Sequence, residues 1–272
     1  MVDELIDLET GMRVHYRRVG AGEPLLLAMG TAASLGMWMP VEGALADRFD
    51  VVSFDYRGLG DSARGDDAIT AARLASDARA LLDALSIPRA HVLGWSLGSV
   101  VAQELAVGHP DRVASLVLYG TWARRDGVMT ALLTALKYPW EKGDLATALT
   151  TLGVVYSAEF LASSEFHEFL EWTTPLAPST PEQIRTVAEQ WQADLDFDGL
   201  DRLGSIAAPT LALTGEHDIV IPPRHGRQVA ERIPGATFEL MTGTGASHGL
   251  MFERTEDFLR TVLTFVDQHP LA

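Results

Sequence analysis

Short, almost continuously apolar runs recur along the chain and alternate with stretches of helical periodicity. The runs Leu25–Met29, Val51–Asp55, His91–Trp95, Ser115–Tyr119 and Thr210–Thr214 carry few polar residues on either face. A strand reads this way when both of its faces are buried, which is the state of strands in a parallel sheet covered by helices. More polar runs at Arg13–Val19 and Thr237–Met241 add strand candidates at the margins. Helices are expected near Thr70–Leu85, Leu97–Gly108, Arg224–Ile233 and Glu256–His269, the first with Leu74, Ala78, Leu81, Leu82 and Leu85 on one stripe. The alternation predicts an α/β fold with a mostly parallel central sheet and helices on both faces.

The pattern breaks after Gly120. From Thr121 to Ser205 no strand is convincing, the text is helical with stops at Pro139, Pro175, Pro178 and Pro181, and four of the six tryptophans lie there. The sheet pattern on either side is incomplete without the other half. The expected division is therefore one core formed by residues 1–120 and 206–272, with residues 121–205 inserted as a helical lid.

Composition removes several function classes. At 272 residues the chain can bury a sizeable core. It has no cysteine, which excludes a disulfide framework, a thiolate nucleophile and a thiolate metal site. The net charge of −16 disfavours nucleic acid and anionic membrane surfaces as partners. No apolar run approaches the roughly 20 residues of a membrane span, and the first residues lack a signal-peptide core, so a cytoplasmic location is expected. Metal-ligand spacing and a phosphate-cradling glycine loop are both missing, so no metal and no cofactor is expected.

The chemistry-bearing stretch is Gly94-Trp95-Ser96-Leu97-Gly98, which fits G-x-S-x-G between a predicted strand and a predicted helix. A strand reversing directly into a helix strains the central residue, and side chains two positions away on either side would collide across the turn. Ser96 then stands at a helix start, where the free Leu97 N–H can face developing negative charge. A serine hydroxyl needs a base to take its proton. Of eight histidines, His248 sits in a flexible loop, Gly243-Thr244-Gly245-Ala246-Ser247, after the last strand and at the same end of the sheet as the serine turn. The stretch Gly215-Glu216-His217-Asp218 offers Asp218 as the group that orients the imidazole, with Glu216 as its rival. The loop Met29-Gly30-Thr31 can supply a second oxyanion donor from the Thr31 N–H. An aromatic-rich lid implies a largely apolar substrate, with Met29, Gly30, Trp95, Trp38, Trp122 and Trp140 as candidate pocket residues.

Together the Met29-Gly30-Thr31 loop, Asp55-Tyr56-Arg57-Gly58-Leu59-Gly60-Asp61-Ser62, the serine turn, HPDRVASLVL, the Gly215–Asp218 segment and Ser247-His248-Gly249 resemble the α/β-hydrolase superfamily along nearly the whole chain. The resemblance implies the α/β-hydrolase fold and a triad of Ser96, Asp218 and His248 in that chain order. It implies hydrolysis of a carboxylic ester or lactone of a small apolar molecule through an acyl-serine intermediate. It leaves open non-hydrolytic or C–C bond chemistry at the same triad, and a ligand-binding member without turnover. Family members commonly carry His-Gly where this chain has Met29-Gly30, so a polar side chain is missing beside the oxyanion loop. Asp55 and Arg57 are expected to be ion-paired scaffold.

Overall fold

Each apolar run expected to be a strand is one in the computed structural model, which describes residues 2–271. The strands are β1 (Val2–Asp7), β2 (Arg13–Gly20), β3 (Glu23–Ala28), β4 (Phe49–Phe54), β5 (Ala90–Trp95), β6 (Val113–Tyr119), β7 (Thr210–Gly215) and β8 (Thr237–Met241). They form one eight-stranded sheet in the order β1-β2-β4-β3-β5-β6-β7-β8. Pairing is parallel from β4 through β8, and β2 runs antiparallel to both β1 and β4. Every residue of β4, β5, β6 and β7 is buried, which explains their unbroken apolar text.

The helices are α1 (Met39–Ala46), α2 (Ala71–Ala84), α3 (Leu97–Gly108), α4 (Gly127–Glu141), α5 (Leu145–Thr151), α6 (Ala158–Leu161), α7 (Ser164–Thr173), α8 (Pro181–Asp196), α9 (Pro223–Arg232), α10 (Leu250–Glu253) and α11 (Thr255–Asp267). Local chemistry starts several of them. Thr70 caps α2 by accepting from the Arg73 N–H, and Thr180 with Gln183 forms a capping box at the start of α8. No helix among the described residues is long and apolar enough to cross a membrane.

Two elements were illegible. β1 reads Val-Asp-Glu-Leu-Ile-Asp and is mostly exposed at the sheet edge, so it shows no apolar run. α1 has too weak an apolar stripe to stand out. Pro139 also differs from expectation: it lies inside α4, which ends two residues later at Glu141. A proline this close to a helix end interrupts only the last turn.

The DYRGLGDS turn is scaffold, but its charges pair with other elements. The Arg57 guanidinium is fully buried and donates from Nε and Nη2 to Asp77 of α2 at 2.8 and 2.9 Å. Asp55 instead accepts from the Leu35 N–H at 2.7 Å and contacts His15 of β2 at 2.6 Å.

Between β6 and β7 the chain is helical, with α4 packed on α8. Two hydrogen bonds tie this insertion to the segment after β8. The Gly249 N–H donates to the Val155 carbonyl at 2.8 Å, and the Ser157 N–H donates to Glu253 at 3.0 Å.

Candidate active site

Because β3 to β8 run parallel, the loops after them gather along one edge of the sheet. Met29–Thr31 follows β3, Ser96 follows β5, Gly120 follows β6, Glu216–Asp218 follows β7, and the loop carrying His248 follows β8.

Ser96 adopts φ +54° and ψ −120°, a region that residues other than glycine rarely occupy. The turn is tied down on both sides: the Ser96 N–H donates to the Tyr119 carbonyl at 2.9 Å, and the Ser99 hydroxyl donates to the Ser96 carbonyl at 2.6 Å. The flanking glycines are obligatory for two different reasons. A Cβ on Gly94 would stand 2.3 Å from the Gly98 carbonyl oxygen, the collision across the turn expected from sequence. A Cβ on Gly98 would stand 1.9 Å from the Ala28 carbonyl oxygen. That second collision is with the end of β3, so Gly98 lets the helix approach the neighbouring strand.

His248 and Asp218, thirty residues apart, meet with Nδ1 and Oδ2 2.7 Å apart, both almost fully buried. The other Asp218 oxygen accepts from the Ile221 N–H at 2.7 Å, which fixes the carboxylate. Glu216 points elsewhere and accepts from the Gly243 N–H at 3.0 Å. The His248 carbonyl accepts from the Trp95 indole N–H at 3.2 Å and from the Tyr119 hydroxyl. Burial, and after it the Asp218 charge, push the Tyr119 phenol well above its ordinary range, so it remains a neutral donor. Ser96 Oγ makes no hydrogen bond with His248 in this structure.

Thr31 and Leu97 both have main-chain N–H groups without a protein partner among the described residues. The Thr31 hydroxyl is engaged, donating to Asp194 of α8 at 2.6 Å. Gly30 lies against the nucleophile turn: a Cβ there would be 3.3 Å from Ser96 Cβ and 3.4 Å from the Trp95 ring.

A cavity of about 510 Å³ is lined by Thr31 and Trp95, though not by Ser96 or His248 themselves. Thr31, Ala32 and Trp95 form one side, while Tyr156, Phe166, Phe169 and Leu170 of the insertion contribute to the other, and no charged side chain lines it. The structure places Trp38, Trp122 and Trp140 elsewhere. All three are at most 2 % exposed and belong to the hydrophobic core, with the Trp122 and Phe197 ring centroids 6.2 Å apart. Met29 is likewise fully buried. A tryptophan in helical text reads alike whether it faces a cavity or a packed neighbour.

The aromatic wall instead comes from α7, whose Phe166, Phe169 and Leu170 follow an i, i+3, i+4 spacing that was visible in the sequence. Gly120 was missed as well. At φ +58°, a Cβ there would lie 2.8 Å from His248 Cε1 and 3.1 Å from Nδ1, so the glycine makes room for the imidazole.

A sequence profile described as alpha/beta hydrolase fold matches residues 23–253. The chain is 33% identical over 257 residues to a Caulobacter sp. (strain K31) protein named "Putative carbamate hydrolase RutD", covering 93% of this chain and 94% of that one. It superposes with a TM-score of 0.84 on the crystal structure of a hydrolase from Pseudomonas aeruginosa PA01, at 31% identity over 97% of this chain and 98% of the other. The enol-lactonase from Burkholderia xenovorans LB400 superposes with a TM-score of 0.85 at 26% identity, covering 97% of this chain and 100% of that one. The profile match alone spans most of the residues, and the sheet order and serine turn agree with it: the chain belongs to the alpha/beta hydrolase fold family and is a hydrolase of that fold.

Proposed function

We propose that the protein cleaves a carboxylic ester or lactone of a largely apolar small molecule through an acyl-serine intermediate. The observation that carries the reading is the buried Asp218–His248 pair, set at the same edge of the sheet as the strained Ser96 turn and beside a cavity without charged lining. Ser96 Oγ attacks the substrate carbonyl carbon while His248 Nε2 takes its proton. Asp218 holds Nδ1 protonated and stabilises the imidazolium. The carbonyl oxygen becomes negative against the N–H groups of Leu97 and Thr31, each such donor being worth about 3 kcal/mol of barrier. Collapse breaks the carbon–oxygen bond to the leaving alcohol, which receives the proton from His248. Water then attacks the acyl-serine by the same route and releases the acid.

The helical insertion acts in this reading as a lid that keeps bulk water from an apolar acyl group. The cavity volume falls in the range of small-molecule sites, and its uncharged wall favours neutral substrates. The name of the enol-lactonase neighbour is consistent with a cyclic ester as one substrate type.

The test is a fluorophosphonate probe on wild type and Ser96→Ala, followed by a panel of esters, lactones and carbamates. Labelling at Ser96 that disappears in the alanine variant, with hydrolysis of apolar esters lost in parallel, is expected. A wild type that stays unlabelled while a control serine esterase reacts overturns the acyl-serine route. Carbamate turnover exceeding ester turnover would move the substrate class.

A further inference from the structure

We propose that Asp194 and Gln190, on α8 of the insertion, are positioning residues that clamp the loop after β3 so that the Thr31 N–H faces the oxyanion; the inference rests on the acyl-serine reading above. Two hydrogen bonds join elements roughly 160 residues apart. The Thr31 hydroxyl donates to Asp194 Oδ2 at 2.6 Å, and the Ala32 N–H donates to Gln190 Oε1 at 3.0 Å. Asp194 and Gln190 stand four positions apart, hence on one face of α8, and both are at most 1 % exposed. Their partners are consecutive residues of the loop that carries the proposed donor.

The backbone says what the clamp is for. Ala32 has φ +63°, a left-handed conformation that costs an L residue energy and persists only where the surroundings enforce it. Gln190 holds the N–H of that strained residue. Asp194 turns the Thr31 hydroxyl to itself and leaves the neighbouring main-chain N–H without a protein partner. The Asp194 carboxyl is wholly enclosed, with the Thr31 hydroxyl as its one hydrogen-bond partner among the described residues, and burial raises it to about 7. An apolar residue would fill such a place at lower cost. The carboxyl instead serves the loop.

The inference ties the insertion to the chemistry as well as to the cavity. Removing either end of the Thr31–Asp194 bond frees the loop, so the loss should appear in the transition state and not in ground-state binding. The variants are Thr31→Val, Asp194→Val and their double, with Thr31→Ser and Asp194→Asn as conservative controls. Each is assayed for the rate of Ser96 phosphonylation and for kcat and KM on a short ester that leaves most of the cavity empty.

Expected are losses of about tenfold to a hundredfold in kcat and in phosphonylation for both valine variants, with KM nearly unchanged. The double variant should be no slower than the worse single one, because both remove the same bond. Thr31→Ser and Asp194→Asn should restore most of the rate. Valine variants that fold and keep kcat within twofold of wild type overturn the clamp, as does a double variant whose losses multiply. If Asp194→Val fails to fold, Thr31→Val breaks the same bond from the loop side and decides alone. A wild type without labelling removes the acyl-serine reading, and the clamp falls with it; a labelled wild type with indifferent variants removes the clamp only.

Discussion

Gly120 has no chemistry of its own, yet the imidazole depends on it. It combines a left-handed φ of +58° with a missing Cβ that would stand 2.8 Å from His248 Cε1. Gly120→Ala therefore carries both a backbone penalty and a displacement of the ring from Asp218. We expect kcat to fall about a hundredfold, since misplacing a catalytic group by roughly 1 Å can cost that much. The folded state should survive at a somewhat lower Tm. Steady-state kinetics beside circular dichroism checks this, and an unchanged kcat would show that the ring has room to spare. At this scale the sequence was informative about identity and poor about space. The proposed triad of Ser96, Asp218 and His248 could be put forward from the sequence because nucleophile, acid and base are chemical types expected at fixed stations of a topology. Gly120, Trp122 and Trp140 could not be sorted, because whether a side chain faces a cavity depends on neighbours that lie far away along the chain.

Among the elements, β1 and β2 show how an edge strand that sequence overlooked is held. His15 of β2 bonds Asp3 of β1 through Nε2 and Asp55, just past β4, through Nδ1. The Asp55 hydrogen bond leads the effects that raise the imidazole from 6.5 to about 9, outweighing the burial that opposes it. A cationic group whose folded pKa is raised contributes stability fully below 6.5 and loses it as pH climbs through about 9. The Tm difference between wild type and His15→Gln should thus be largest near pH 6 and shrink by pH 10. A difference that stays constant across this range would mean the contacts act without the charge. The edge strand itself escaped notice because Asp3, Glu4 and Asp7 break up its apolar text, charges suited to discouraging edge-to-edge pairing.

For the whole molecule, the decisive feature is that the apolar cavity is shared. Its near side comes from the loop after β3 and from Trp95 next to Ser96, its far side from the helical insertion. Phe169 packs in an aromatic group with Tyr156, Phe160, Phe166 and Phe252, at centroid distances between 5.1 and 6.0 Å. Phe169→Ala should enlarge the cavity while leaving the triad in place. We expect KM for esters with bulky apolar acyl groups to shift severalfold with kcat for an acetate ester preserved, as measured across an acyl-chain series. A uniform loss on every ester would instead place Phe169 in the support of the catalytic groups. The sequence by itself determined the alternation of buried strands and helices in the core, the serine turn and the types of the proposed triad, because apolar periodicity and strained turns are local and leave a trace in consecutive residues. Tertiary structure alone decided which tryptophans are core, which helix walls the cavity, why Gly98 must be glycine, and that α8 grips the loop after β3. Those are contacts between segments distant in the chain, and no local pattern encodes the gap between them.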